Sequence, residues 1–244
     1  MSVFKKSYFF ILFFLFLKGS AQDASVFKPD SIRKELMATQ IKTNLKVDGI
    51  LTDFEWKQTK PSPRFIQIEP FQGAAPNFET DVRVLYNKQY LYFGIFSKDS
   101  LGKKAIRATD FKRDFNFLQH DIVTLSFDGF NDKRNAMAFA TNPYGVQRDL
   151  LSFDDIYYDV DWDGLWRVRT TRSDSGWVAE FAIPWKTLRY PKSDSTTQSW
   201  GFNVNRGRRM TNENYAFSPF PRSFSILRMD YAGIIKGLQP PPPT

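Results

Sequence analysis

A chain of 244 residues with no cysteine and one histidine rules out thiol catalysis, thiolate metal sites, disulfides and any histidine-rich transition-metal centre. Its formal charge of +8 is spread along the sequence except at Arg206, Arg208 and Arg209, so the contiguous basic stripe of a nucleic-acid-binding surface is absent. Twenty-five phenylalanines, ten tyrosines and six tryptophans supply the apolar mass for one large core without cross-links.

The N-terminus reads as a targeting segment. Lys5 and Lys6 precede an apolar run over residues 8–17, and Gly19, Ser20 and Ala21 form a small-residue cleavage site. That is the pattern of a secretory signal peptide over residues 1–21. The run is about half the ~20 residues that span a bilayer as a helix, so no transmembrane helix is expected after cleavage. No cysteine follows it, which excludes a lipoprotein anchor. The mature chain is expected to be exported, and loss of Lys5, Lys6 and Lys18 lowers its charge to 8 − 3 = +5.

Residues 22–44 are polar, contain Pro29 and a helix-compatible piece at 31–37, and read as a flexible arm. From residue 45 the hydrophobic period becomes two. Residues 80–86 and 90–96 flank Asn87-Lys88 as a hairpin. Further strands are expected at 104–109, 121–127, 135–141, 145–153, 165–171, 176–183, 199–206 and 231–235. Single helical turns fit 53–58 and 184–188. Strands at 8–12-residue spacing predict an all-β chain, an antiparallel, jelly-roll-like β-sandwich over 45–238. Residues 239–244 form a proline-rich tail, an extended linker or a loose end.

The stretch Asp159-Val160-Asp161-Trp162-Asp163-Gly164-Leu165-Trp166 carries the chemistry of most interest. Carboxylates at alternate positions of a strand point the same way and could converge on a hard cation. The spacing matches the first half of an EF-hand loop, but Thr170 holds the position of the closing glutamate and the helices are missing. A calcium site of another kind, on Asp159, Asp161 and Asp163, stands against a solvated acidic loop. Trp162 lies between two aspartates, unlike Trp56, Trp166, Trp177 and Trp200, which occupy core positions. With Tyr157 and Tyr158 it could stack on a sugar ring, and Asp161 could accept hydrogen bonds from hydroxyls. Glu180, inside an apolar strand, is expected to pair with Arg83 or Arg206 rather than to act as a catalytic acid. His120 has no nucleophile signature beside it, and no catalytic residue is assigned.

Several blocks resemble family 9 carbohydrate-binding modules. Residues 47–56, Val-Asp-Gly-Ile-Leu-Thr-Asp-Phe-Glu-Trp, are similar to the opening signature. The hairpin at 82–99, the strand at 121–128, Trp162-Asp-Gly-Leu-Trp166 and residues 176–184 follow in the family's order. Residues 65–70, 141–147 and 205–213 look like a secreted Bacteroidetes-type subgroup, in which the module precedes an outer-membrane-type barrel domain. This sequence stops at the proline run without that domain, and Phe217 stands where a tryptophan is expected. The resemblance implies a non-catalytic β-sandwich that binds a glycan, with calcium in some members, in the periplasm, at the outer-membrane surface or outside the cell. The alternative it leaves is an interaction domain for an outer-membrane protein partner, without a sugar ligand. A glycosidase would need two carboxyls at fixed separation across a cleft.

Overall fold

The computed structural model describes residues 29–193 and 195–243. The expected signal peptide lies outside them. No helix among the described residues is long and apolar enough to cross a membrane.

Strands dominate the described residues. They are β1 (Glu35–Met37), β2 (Thr39–Gln40), β3 (Ile66–Glu69), β4 (Thr80–Tyr86), β5 (Tyr90–Lys98), β6 (Ile122–Asp128), β7 (Asn135–Thr141) and β8 (Gln147–Phe153). After them come β9 (Tyr157–Asp159), β10 (Arg167–Ser173), β11 (Gly176–Pro184), β12 (Gln198–Arg208), β13 (Glu213–Ala216) and β14 (Gly233–Leu238), with one helical turn, α1 (Phe54–Lys57), ahead of β3. One sheet runs β1-β14-β12-β6-β7-β8-β9, with β13 beside the far half of β12 and β3 beyond it. The other runs β10-β11-β5-β4-β2. The two pack face to face as the expected β-sandwich.

Both sheets are mixed rather than purely antiparallel, and the cause is the N-terminal arm. β1 pairs parallel with β14, and β2 pairs parallel with β4. Residues 35–40 thus give one strand to each sheet, anchored by the buried side chains of Leu36 and Ile41. A flexible arm is not what these residues form. The strand expected at 104–109 is also absent: Gly102–Lys104 is a 3-10 turn, and the chain then loops through a second 3-10 turn, Phe117–Gln119, to Asp121.

Alternation fixes the core. Val82 and Val84 of β4, Leu91, Phe93 and Ile95 of β5, Val123, Leu125 and Phe127 of β6, and Trp200, Phe202 and Val204 of β12 all point inward. Phe93 lies at the centre, its ring 5.3 Å from Phe202 and 5.4 Å from Phe127. The small sheet is apolar on its other face too, because residues 41–56 fold across it. Ile41, Leu45 and Trp56 cover Leu85, Tyr92 and Ala182.

The inward face of β12 continues past Val204 to Arg206 and Arg208, as period two requires. Both guanidinium groups are buried and bridge the sheets. Arg206 donates to the carbonyls of Glu79 (3.0 Å) and Lys98 (2.8 Å). Arg208 Nε lies 2.6 Å from a carboxylate oxygen of Asp99. Burial lowers the Arg206 pKa to about 10.

Neither Arg83 nor Arg206 meets Glu180. The fully buried Glu180 carboxylate accepts the backbone N–H groups of Asp48 and Gly49 and the indole N–H of Trp56. Arg83 instead donates to the carbonyls of Trp56 and Thr59. Gly49 has φ +83°, and a Cβ there would lie 2.9 Å from the backbone of Thr170, so the turn that feeds Glu180 requires glycine.

Candidate functional site

Strands β8 and β9 form one margin of the large sheet. From β9 the chain crosses to the small sheet through residues 160–166 and enters β10. Trp162 on this crossing is not fully exposed. Its ring meets Phe139 of β7 edge-on at 5.8 Å and packs against the main core, leaving a partly exposed surface. Trp166 is buried and stacks on Phe181 at 5.6 Å.

Gly164 allows this crossing. A Cβ there would lie 2.9 Å from the Trp162 ring, 3.0 Å from the Thr187 methyl and 3.1 Å from a carboxylate oxygen of Asp149. The Gly164 N–H donates to that same oxygen. Asp149 is buried, and Arg113 reaches it at 2.6 Å and Asp163 at 2.7 Å. Burial pushes the Asp149 carboxyl up, while the Gly164 amide and the Arg113 guanidinium oppose it. An Asp149–Arg113–Asp163 bridge therefore clamps the crossing to β8.

The other sequence candidates fall apart in space. Tyr157 and Tyr158 are consecutive on β9 and so face opposite sides of the sheet. Tyr157 is exposed opposite Phe153. Tyr158 turns to the outer side, where its hydroxyl donates to Asp155, itself bonded by Ser225. The two do not build a common platform with Trp162. Asp161 is exposed. Asp159 closes β9 while residues 160–166 are not a strand, so Asp159, Asp161 and Asp163 lose the common direction that alternation would give them. Asp163 is drawn to Arg113. Among the described residues no group of three or more acidic or histidine side chains could hold a metal ion. The expected convergence of the three aspartates is thus not formed.

Two depressions open on either side of Leu165. One, of about 580 Å³, is lined by Trp162, Phe130, Tyr190, Asp163 and Arg189. The other, of about 680 Å³, is lined by Tyr90, Trp166, Trp185, Arg167 and Gln147 among others. The proline tail reaches both: Pro241 and Pro242 border the larger and Pro243 the smaller. It is held by the Tyr190 hydroxyl, which donates to the Pro241 carbonyl at 3.0 Å, while the Tyr190 ring stacks on Trp200. Sequence reading missed Arg113, Asp149, Phe130 and Tyr190. They come from four separate loops and strands, and no local spacing connects them.

The model of the family described as carbohydrate family 9 binding domain-like matches residues 47–213. Among solved structures, a proposed carbohydrate-binding protein from Bacteroides uniformis superposes with a TM-score of 0.65 at 11% identity, covering 84% of this chain and 99% of that one. A family 9 carbohydrate-binding module from Caldicellulosiruptor kristjanssonii in complex with glucose gives a TM-score of 0.58 at 14% identity, covering 83% of this chain and 95% of that one. The same kind of module with cellotriose gives 0.56 at 12% identity, covering 83% and 93%. No curated protein matches the sequence.

Proposed function

Because the chain belongs to the carbohydrate family 9 binding domain-like family, we propose that it is an exported, non-catalytic carbohydrate-binding module whose saccharide lies in the depressions beside Trp162. One observation carries this reading: a partly exposed indole and the exposed Phe130 line a depression together with Asp163, Lys186 and Arg189. Such a site offers a flat apolar wall for a ring and several charged groups for its hydroxyls. The glucose and cellotriose complexes of the Caldicellulosiruptor kristjanssonii modules support a saccharide ligand.

Stacking alone is not enough here. Roughly a third of a ~200 Å² indole surface gives about 2 kcal/mol. Association costs ~4 kcal/mol or more. The polar groups must therefore supply much of the affinity.

Calorimetry of the mature chain against a glycan panel tests the reading. Trp162→Ala and Phe130→Ala should each weaken binding about tenfold. Phe130 is exposed, so its variant keeps the fold and guards against loss by unfolding. No binding to any glycan, or unchanged binding in both variants, overturns the proposal.

A further inference from the structure

The two depressions beside Leu165 belong to a row of depressions that share lining residues and together form a broken groove. The larger one shares Lys88 and Gln89 with a third depression of about 570 Å³, which reaches Lys42 and Asn44. The smaller one shares Phe130 and Arg189 with a fourth, which runs under Phe153. Gly164, Leu165 and Lys186 join the middle pair. Each of the three larger depressions is of the size that holds a small-molecule unit, so the groove suits consecutive units of a chain better than one isolated ring.

Its charge is one-sided. Lys42, Lys88, Arg113, Arg167, Lys186 and Arg189 line it, against Asp163 as the sole carboxylate among the lining residues. Arg113 is taken up by Asp163, the buried Asp149 and Asp114, so it adds no free positive charge. The other five cations are exposed, and no carboxylate among the described residues stands within ion-pair distance of them. Of these five, Arg167 lies over the Tyr90 ring, 5.3 Å from its centre, which keeps its charge at the groove. A neutral sugar would leave this row of like charges uncompensated, whereas a chain with an anionic group on each unit would pair with it.

We propose that the groove binds an anionic polysaccharide, one carrying carboxylate or sulfate groups along its chain. This rests on the carbohydrate-binding reading and narrows it to a ligand class. The amides that line the same path are bonded within the protein, Asn44 to Gln89 and Gln147 to the Trp166 carbonyl, so the unpaired cations are the groups left for the ligand. Nucleic acid is the competing polyanion, and the partly exposed aromatic wall of Trp162 and Phe130, together with the family match, favours the saccharide over it.

The mature chain should be titrated calorimetrically with oligogalacturonate, a sulfated dextran oligomer, neutral cello- and dextran oligomers, and duplex DNA, at about 50 and about 500 mM NaCl. The proposal expects the oligogalacturonate or the sulfated oligomer to bind at least tenfold more tightly than its neutral counterpart, and the comparison of the two tells carboxylate from sulfate. Raising the salt should weaken it about tenfold, and so should the charge reversal Lys88→Glu with Lys186→Glu. Both lysines are exposed and unpaired, so a thermal melt should show the variant folded. Neutral oligomers bound equally well, with no response to salt or to the reversal, would overturn the anionic assignment and leave carbohydrate binding intact. Binding to no saccharide would overturn the underlying reading. DNA bound as tightly as the anionic saccharides would reduce the groove to a general polyanion contact and overturn the proposal.

Discussion

The indole N–H of Trp56 donates to Glu180 at 3.2 Å, across 124 residues of sequence, while Glu180 holds the Asp48 and Gly49 amides at 2.8 and 2.9 Å. One carboxylate thus ties the first matched motif of the chain to its last. Replacing it with alanine leaves two buried donors and one half-buried donor without an acceptor, at about 1–3 kcal/mol for each buried one. Glu180→Ala should therefore lose at least about 2 kcal/mol in urea unfolding. Glu180→Gln keeps the volume and one acceptor oxygen and should lose less. Equal stability of wild type and Glu180→Ala would show that the motif is not held this way.

His120 is fully buried, its ring 4.8 Å from Phe115 and its Nδ1 3.2 Å from the Asn142 amide nitrogen. Burial holds its pKa below 6.5, with Asp110 opposing. The folded state therefore resists a proton that the unfolded chain accepts. This stabilises the fold above the unfolded pKa and is lost as pH falls through the folded one. Burial raises Asp121, Asp149 and Glu180, and they act with the opposite sign. The comparison with His120→Gln isolates the histidine. Wild type should lose more stability than the variant as pH falls below about 6.5, the ordinary imidazole value. The single imidazole makes the titration directly visible by NMR.

How far the sequence carried depends on the range of the signal. β4 and β7 stand where alternation puts them, at Thr80–Tyr86 and Asn135–Thr141, because period-two burial is a local property. β1 and β2 were illegible, since Glu35–Met37 and Thr39–Gln40 become strands only through pairing with β14 and β4. Glu180 is singled out by its apolar strand, but the arginine partner expected for it is replaced by two backbone amides and the Trp56 indole, and which donors a turn presents is not written in local spacing. Trp162 was marked out by its acidic neighbours. Its contact with Phe139 and the Asp149–Arg113–Asp163 clamp depend on the third dimension.

Gly164→Ala tests that clamp. The added methyl would meet the Trp162 ring, Thr187 and Asp149 at about van der Waals overlap, and Trp162 is the group free to move. Overpacking of this kind costs about 1–3 kcal/mol. The expected result is a modest fall in melting temperature with a larger loss of saccharide affinity. Unchanged affinity would detach Trp162 from the binding surface.

Chelation should leave the melting transition where it is. Asp163 is engaged by Arg113, and Asp159 and Asp161 form no metal-binding group with it. A melting temperature that drops on adding a chelator and returns with calcium would show that the acidic stretch rearranges around a cation.

Arg208 and Asp99 form a deeply buried ion pair, with side-chain exposures of 3% and 6%. Arg208 also donates to Thr211, stands 3.6 Å from Glu213 and lies over the Phe78 ring at 4.2 Å. Asp99 accepts the Leu101 N–H as well. A pair taken out of water recovers its desolvation cost only through such extra bonds, so its net contribution is small while the cost of breaking it is large. Asp99→Leu should lose about 3–5 kcal/mol, because a guanidinium is then buried with only part of its charge compensated. Arg208→Met alone should lose a similar amount, since Asp99 and Glu213 then face each other's field without the cation. The double replacement Asp99→Leu with Arg208→Met removes both charges and should recover part of the loss. Equilibrium urea unfolding of the four proteins gives the coupling directly. Additive losses would mean that the two sheets are joined at this end by Arg206 and its carbonyl bonds alone.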